Sequence, residues 1–334
     1  MTTAIAPILR VENLSIGIRL PAGEIRAVDD VSFAIQPGEV LGIVGESGCG
    51  KSLTALSLLG LLPAGIQILE GAIIFNNERL DRLPEREFNA LRGSELSIIF
   101  QEPMTSFNPL LRIGNQIVEA LLLHGMTDRR LARERAVEAM GQVGLPMPED
   151  LLRAYPHQLS GGMLQRVMIA MAVICQPKLL IADEPTTALD VTTQAQILRL
   201  LRHINQTLGT TILFISHDLG VINQLCDQVL VMYAGRLVER GTVGNVFWHP
   251  VHEYTKGLIG SIPNRKSKGQ PLANIPGKVP TLDAEKVGCA FAPRCPVAQG
   301  RCFSETPQQL ALSEFHSVDC FLADPESEME YVRI

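Results

Sequence analysis

The feature that most constrains this chain is a glycine-rich turn between a short apolar run and a helix-like stretch. Residues 45–52, GESGCGKS, match the pattern G-x-x-x-x-G-K-[ST] directly after the apolar run 40–44. Glycines let the backbone curl so that successive N–H groups point into one concavity, and the following helix adds the positive end of its dipole. The sequence therefore predicts a phosphate-binding loop, in which Lys51 reaches the β- and γ-phosphates and Ser52 holds Mg²⁺.

A second apolar run ends in two adjacent acids. Residues 179–184 read LLIADE, and we expect Asp183 to hold Mg²⁺ through water and Glu184 to orient or polarise the attacking water. The alternative is a solvated loop that carries two carboxylates. The run before the acids is typical of a strand buried beside a phosphate-loop strand, and this favours the catalytic interpretation.

The apolar pattern predicts an α/β fold. Short, nearly all-apolar runs predict strands buried on both faces, at 40–44, 179–182 and 211–215. Stretches with apolar residues every three or four positions predict amphipathic helices, at 162–175 and 193–208. Their alternation favours a parallel sheet, and the period-two pattern of residues 8–35 around the turn 21–24 predicts an antiparallel β layer beside it.

Composition limits the class of protein. The 334 residues include 29 basic and 35 acidic side chains, a net charge of −6, so the chain lacks the cationic excess of a dedicated nucleic-acid binder. Hydrophobic residues make up 46%, which excludes disorder as the dominant state. No run approaches the ~18 to 20 apolar residues of a bilayer span. We expect a folded cytosolic protein without a spanning helix or a nucleic-acid partner.

The C-terminal part differs in composition. Residues 261–280 are dense in Pro, Gly and Lys, which predicts a linker. Four of the seven cysteines follow, at Cys289, Cys295, Cys302 and Cys320. This piece has too few apolar residues to fold around its own core, so we expect a metal, disulfides or docking to hold it.

Six motifs, in this order, resemble the ATP-binding cassette of ABC transporters, over about residues 8–245. They are the Walker A loop 45–52, Gln101 in IIFQEP, the signature LSGGM at 159–163, the Walker B strand 179–184, Ala188-Leu189-Asp190, and His217 in ISHD. Order and spacing of six motifs are much more specific than any one of them. The resemblance implies that two cassettes face each other and that each ATP lies between one chain's Walker A and its partner's signature.

The resemblance also implies a role for each site residue. Glu184 matches the general base, His217 the switch histidine at the γ-phosphate, and Gln101 a contact to Mg²⁺ and water. The residues that it implies for nucleotide binding are Gly45, Glu46, Ser47, Gly48, Cys49, Gly50, Lys51, Ser52 and Leu53, and those for magnesium are Ser52, Gln101 and Asp183. The residues that it implies for contact with the partner's ATP are Leu159, Ser160, Gly161, Gly162 and Met163. Asp190 is the residue that it implies for communication across the dimer.

Two departures from the family pattern concern the signature and the adenine contact. Met163 stands where Gln is most common, although the anion-binding Ser-Gly-Gly is retained. Ile18 stands about where many cassettes have an aromatic residue, so stacking worth ~1 kcal/mol is missing and selectivity for adenine is open.

The segments 44–52, 101–110 and 155–163 are similar to the peptide-importer branch. This similarity implies an ATPase that powers import of di- or oligopeptides through a binding-protein-dependent transporter, at the cytoplasmic face of the inner membrane. Implied partners are a second, homologous ATPase subunit (a homodimer is the alternative), two transmembrane permeases and an extracytoplasmic solute-binding protein. Phe107, Pro109 and Leu110 are the expected docking patch for a permease. Alternatives are import of nickel or another small solute, or a soluble ABC ATPase with a non-membrane target.

The cysteine spacing is similar to the four-cysteine motif of this branch. In some members of the branch, this motif is associated with a [4Fe-4S] cluster. Successive cysteines are separated by five, six and seventeen residues. We therefore expect ATP, Mg²⁺ and a cluster as cofactors, with Zn²⁺ as the alternative and disulfides third. The predicted domains are a nucleotide-binding domain at 8–250 with its helical subdomain at about 100–165, a linker at 251–288, and a C-terminal domain at 289–334.

Overall fold

The computed structural model describes residues 6–21, 23–187, 189–262, 275–280 and 287–323. The predicted linker and the end of the predicted C-terminal domain lie partly outside these residues, as does Ala188. Within the described ranges, none of the helices has the length and apolar character needed to cross a bilayer.

The described elements are twelve strands and eleven α-helices. The strands are β1 (Leu9–Leu20), β2 (Gly23–Ile35), β3 (Val40–Val44), β4 (Gln67–Phe75), β5 (Glu78–Arg79), β6 (Leu96–Ile99), β7 (Leu179–Asp183), β8 (Thr211–Ser216), β9 (Gln228–Tyr233), β10 (Arg236–Thr242), β11 (Leu310–Ser313) and β12 (His316–Val318). The helices are α1 (Lys51–Ser57), α2 (Glu85–Leu91), α3 (Pro103–Ser106), α4 (Ile113–Leu123), α5 (Arg129–Gln142), α6 (Pro148–Leu151), α7 (Gly161–Val173), α8 (Val191–Leu208), α9 (Leu219–Leu225), α10 (Val243–Trp248) and α11 (Glu253–Gly260).

The chain forms two compact units. The first comprises 6–8, Ile35–Glu39 and Arg79–Ile215, and the second comprises Leu9–Ala34, Val40–Glu78 and the residues from Ser216 onward.

The first unit contains the parallel strands β6, β7 and β8. Leu96 pairs with Leu179, and Leu179 pairs with Thr211, so the three strands start at the same level. Every residue of β7 and β8 is buried, as expected for strands covered on both faces. The carboxyl end of β7 therefore brings Asp183 and Glu184 to the edge of this sheet.

The second unit contains an antiparallel sheet in the order β2-β1-β4-β5 and a second group of strands around β9. In the second group, β3 pairs with β9 in parallel, and β9 pairs with β10 in the antiparallel sense. All five residues of β3 are buried, and α1 begins seven residues after this strand ends, at Lys51. The glycine-rich loop connects the two.

Within the second unit, strand pairing attaches the C-terminal extension, of which the structure describes residues 287–323. Strand β12 pairs with β10 in the antiparallel sense, with Val318 opposite Glu239, and β11 pairs with β12. His316 Nε2 lies 2.8 Å from Glu239 Oε1, and both side chains are fully buried. Glu239 also accepts hydrogen bonds from the backbone amides of Val251 and His252. A buried carboxylate is stable only when its oxygens are paired, and this one has three partners.

The fold agrees with the predicted α/β class. The three predicted strands correspond to β3, β7 and β8, and the two predicted helices correspond to α7 and α8. The period-two region folds into β1 and β2, which are neighbours in one sheet. The predicted domain limits remain a prediction.

Candidate nucleotide-binding site

The glycine-rich loop of the second unit has a backbone that only glycine can adopt at several positions. A Cβ at Gly45 would overlap the carbonyl oxygen of Met232. Gly48 and Gly50 have φ values of 82° and 105°, in the left-handed region that disfavours other residues. The loop therefore has the close packing and the tight curl that a phosphate-binding turn requires, and ATP phosphates fit it.

The lysine of the loop is held by the loop itself. Lys51 Nζ donates hydrogen bonds to the carbonyl oxygens of Gly45, at 2.7 Å, and Glu46, at 3.1 Å. The side chain is only 4% exposed. Neighbouring Ser52 and Leu53 are half-buried, and Cys49 is buried, with its thiol pKa raised by burial. The cation therefore bonds to carbonyl groups of the loop itself, and a phosphate oxygen can replace one of them.

Two residues that the sequence did not single out bind Glu46, at the start of the loop. The backbone N–H of Glu46 donates to Tyr254 Oη at 2.8 Å. The Glu46 carboxylate accepts two hydrogen bonds from Arg294, at 2.7 and 3.1 Å. Tyr254 and Arg294 lie more than two hundred positions away along the chain, and no local pattern marks either one.

The first unit brings two predicted catalytic residues together. Gln101 Nε2 donates to Glu184 Oε2 at 3.5 Å, and Thr187 Oγ1 donates to the same oxygen at 2.9 Å. Glu184 has a φ of 46°, a left-handed conformation rare for a residue with a side chain. Its backbone N–H donates to Ile215 O at 3.0 Å, which fixes this turn. The glutamate is thus held at the end of β7 by three contacts, with Asp183 buried just before it.

The signature segment forms the exposed N-terminus of α7. Ser160 caps this helix, and its Oγ accepts a hydrogen bond from Met163 N at 3.4 Å. Ser160 and Gly161 are exposed, while Leu159, Gly162 and Met163 are half-buried. The start of this helix therefore faces solvent, as an anion site offered to another molecule would.

Asp190 caps the next long helix in the same unit. Its carboxylate accepts hydrogen bonds from Thr193 Oγ1, at 2.6 Å, and Thr193 N, at 3.0 Å. These hydrogen bonds from Thr193 lower the pKa of Asp190. The side chain is exposed, so its charge lies at the surface of the first unit.

The remaining predicted positions are solvent-facing, with one exception. His217 is exposed in the turn between β8 and α9, and Ile18 is 39% exposed on β1. In the predicted docking patch Leu110 is 82% exposed, but Phe107 is only 3% exposed. The prediction for Phe107 is wrong, because the residue packs into the core of the first unit and cannot take part in a surface patch.

The prediction of a [4Fe-4S] cluster is wrong, and the Zn²⁺ alternative has no support. The four C-terminal cysteines are free and line one pocket, yet among the described residues no group of three or more His, Cys, Asp or Glu side chains could hold a metal ion. Burial raises the pKa of the Cys289, Cys295 and Cys320 thiols. Docking of β12 on β10 supplies the attachment for which a metal was invoked.

Comparison with known families covers both parts of the chain. Residues 28–187 match the ABC transporter family, and residues 238–302 match the family described as the oligopeptide/dipeptide transporter C-terminal region. The chain is 47% identical to the dipeptide transport ATP-binding protein DppD of Bacillus subtilis, and the alignment covers 96% of each. It is 49% identical to the oligopeptide transport ATP-binding protein OppD of Salmonella typhimurium, over 90% of this chain and 89% of that one.

Solved structures of cassettes resemble this chain as well. The ATP-binding cassette MJ0796, in a dimeric post-hydrolysis state with ADP and Pi, superposes with a TM-score of 0.63 at 27% identity, over 70% of this chain and 98% of that one. These findings confirm the predicted cassette fold, the predicted peptide-transporter family and the predicted ATPase class, which implies the use of ATP and Mg²⁺. The chain belongs to the family of dipeptide and oligopeptide transport ATP-binding proteins, the ATP-hydrolysing subunits of ABC transporters.

Proposed function

We propose that this chain hydrolyses ATP to power the import of di- or oligopeptides through a binding-protein-dependent transporter. The observation that carries the proposal is the match to DppD over 96% of both chains, which includes the C-terminal region as well as the cassette. Cassettes of unrelated transporters share the nucleotide chemistry, so the C-terminal match is the part that supports a peptide as the solute.

The Walker A loop holds the triphosphate in this proposal. Backbone N–H groups of residues 45–52 surround the phosphates, and Lys51 exchanges its contact with a loop carbonyl for the β- and γ-phosphates. Ser52 and Asp183 each match a magnesium ligand of the family pattern and would hold Mg²⁺, which would neutralise negative charge on the phosphate oxygens. The geometry that supports this role is the tight turn at Gly45, Gly48 and Gly50.

Glu184 is the general base for the attacking water. Hydrogen bonds from Gln101 and Thr187 to one carboxylate oxygen, together with the fixed backbone, orient the carboxylate that would polarise the water. In the family pattern Gln101 would contact the same water and Mg²⁺, and His217 would contact the γ-phosphate. Each role matches the residue's place in the family pattern.

The signature segment 159–163 caps the ATP held by a second cassette. Its exposed amides and the Ser160 hydroxyl form an anion site, and Asp190 communicates across the pair. ATP then joins the two subunits, and hydrolysis releases them, because nucleotide binds the closed state more tightly than the open one. We propose a homologous but different ATPase as the second subunit.

Two transmembrane permeases and an external solute-binding protein complete the proposed importer, in which this chain lies at the cytoplasmic face of the membrane. Exposed apolar side chains of the first unit, Met104 at 55% and Leu110 at 82%, are the surface offered to a permease. Single apolar residues are common on surfaces, but these two follow Gln101 within ten positions, so docking and the catalytic contact are close in sequence.

Reconstitution tests the proposal. The chain is expressed with its neighbouring transporter subunits, and uptake of a labelled tripeptide into vesicles containing MgATP is measured together with phosphate release. We expect uptake that requires ATP and fails with Glu184→Gln. Uptake of Ni²⁺ without peptide uptake, or ATP hydrolysis by a complex with no membrane subunit, would contradict peptide import.

A further inference from the structure

The C-terminal extension contacts the nucleotide loop through one buried arginine. Arg294 ends the 3₁₀ helix Ala292–Arg294, in the short segment between Cys289 and Cys295. Its side chain is only 4% exposed, yet it bonds to Glu46, 248 positions earlier in the sequence. We propose that Arg294 is a positioning residue of the nucleotide site, through which the extension sets the affinity of the Walker A loop for MgATP.

Every polar group of Glu46 has a partner inside the second unit. Its N–H donates to Tyr254 Oη, its carbonyl oxygen accepts from Lys51 Nζ at 3.1 Å, and its carboxylate accepts from Arg294. A residue used in this way attaches the loop to its surroundings. The curl of the next residues, which hold the phosphates in the proposed function, starts from this attachment.

Arg294 is suited to hold the loop because all of the guanidinium N–H groups donate hydrogen bonds. Besides Glu46, it donates to Pro276 O at 2.7 Å, Ile275 O at 3.2 Å and Tyr233 Oη at 3.3 Å. The hydrogen bonds to Glu46 are the main reason that the pKa of Arg294 is raised above its usual value. A planar group with all of its N–H directions occupied has one orientation, so it transmits the position of the extension to the loop.

Packing of aromatic rings links Tyr254, the partner of the Glu46 N–H, to the segment that contains Arg294. The Phe291 ring packs against Tyr233, with centroids 5.2 Å apart, and against Tyr254, with centroids 5.5 Å apart. Tyr254 is the residue whose hydroxyl accepts the Glu46 N–H. The hydrogen bonds of Glu46 to Tyr254 and to Arg294 therefore both depend on the packing of residues 291–294.

Loss of Arg294 leaves the loop in a mixture of conformations. The Glu46 carboxylate is 30% exposed, so without its partner it turns toward water rather than staying as a buried unpaired charge. If only about a tenth of the molecules then keep the binding conformation, the apparent dissociation constant rises about tenfold.

The test measures binding of the non-hydrolysable analogue AMP-PNP with Mg²⁺ to the full chain by calorimetry. We expect Arg294→Gln to weaken binding about tenfold and Arg294→Lys to recover part of that loss, because the charge is kept. Arg301→Gln is the matched control: Arg301 lies in the same extension, donates to Phe321 O, and is expected to bind within about twofold of the unmodified chain.

A double-mutant cycle separates positioning from general stability. In the Glu46→Gln background, Arg294→Gln is expected to add less than about twofold, since the shared contact is already lost. If Arg294→Gln misfolds, Tyr254→Phe carries the test: it removes one hydroxyl, and we expect about threefold weaker binding by a chain that still unfolds cooperatively.

The inference rests on the proposed function only in assigning MgATP to the 45–52 loop. Unchanged binding in both folded Arg294→Gln and Tyr254→Phe would overturn it, as would equal losses in Arg301→Gln. Failure of the unmodified chain and of Arg301→Gln to bind AMP-PNP would instead reject the nucleotide site itself.

Discussion

The Walker A loop of the second unit and the signature turn of the first unit differ in how their own unit holds them. In the loop, Lys51 is 4% exposed, and Glu46 has a partner for each of its polar groups. In the signature, Ser160 and Gly161 are exposed, and the one described hydrogen bond of the Ser160 hydroxyl is a long cap to Met163 N, at 3.4 Å. A loop that is held by hydrogen bonds can bind nucleotide within one chain, whereas an exposed turn is accessible to another molecule.

This comparison separates nucleotide binding from hydrolysis, and the strongest test of that separation is Glu184→Gln. We expect the amide to lower the rate of hydrolysis about 10³-fold, because it cannot accept the proton of the attacking water. Phosphate release from the assembled transporter measures the rate, and binding of AMP-PNP to the chain should be unchanged. Weaker binding in proportion to the lost rate would contradict the separation, since it would make Glu184 part of the binding surface.

The expected contact between the exposed signature turn and the partner's nucleotide is tested by placing a negative charge on the turn. Gly161→Asp adds a carboxylate where the partner's triphosphate is expected, and nothing lies within 4 Å of a Cβ built there. We expect hydrolysis by the assembled transporter to fall about 100-fold from electrostatic repulsion, while AMP-PNP binding to the isolated chain stays within about twofold. Gly141→Asp is the matched control, since a Cβ at Gly141 also meets nothing within 4 Å. Equal activity of the two variants would mean that the signature does not meet nucleotide.

The second unit, which holds the Walker A loop, contains a buried histidine that makes the stability of the protein depend on pH. His252 is 2% exposed, and burial lowers its pKa from 6.5 to about 4, although Glu239 and Glu253 oppose this shift. The unfolded chain takes up a proton below about pH 6.5 that the folded chain takes up only near pH 4. The free energy of unfolding therefore falls as the pH drops through this window, by about 2 kcal/mol between pH 7 and pH 5.

His252→Asn tests this pH dependence. Asn can still accept the hydrogen bond that His252 Nδ1 receives from Tyr254 N, but it does not titrate. Urea unfolding at both pH values, followed by tyrosine and tryptophan fluorescence, gives the change for each protein. The loss between pH 7 and pH 5 should shrink by about 2 kcal/mol in the variant. An identical pH dependence in both proteins would show that His252 is not the titrating group.

The smallest effect on stability is expected at the surface offered to a permease. Leu110→Ser should change the free energy of unfolding by less than about 0.5 kcal/mol, because the side chain is 82% exposed. Phe107→Ala, three positions earlier, should cost about 3 kcal/mol, since Phe107 is 3% exposed. Thermal unfolding measures both, and co-purification with the permeases should be reduced for Leu110→Ser. Full co-purification of that variant would remove Leu110 from the proposed docking surface.

Much of the cassette could be predicted because its motifs are contiguous. Strands β3, β7 and β8 follow from apolar runs, and the turn at 45–52 follows from its glycines. Gln101 and Glu184 were each predicted to be catalytic residues, and the structure places their side chains 3.5 Å apart. The burial of Phe107 was missed because one aromatic residue among polar neighbours has no periodicity that distinguishes core from surface.

The C-terminal extension shows where sequence reasoning failed. Its small apolar content correctly indicated that something must attach it, but cysteine spacing suggested the wrong attachment. Strand pairing of β12 with β10 and the buried pair of His316 and Glu239 do this work. Neither has a local signal, because an antiparallel strand of three residues and a single histidine occur by chance in most sequences.

The sequence by itself determined the family and the class of nucleotide chemistry, since each motif is a short stretch whose side chains and backbone act together, and the roles of single site residues stay predictions. The tertiary structure decided how the nucleotide loop is held and what attaches the extension. Glu46 meets Tyr254 and Arg294 across 208 and 248 positions, and such contacts depend on how distant segments pack. The spacing of residues along the chain contains no direct measure of that packing.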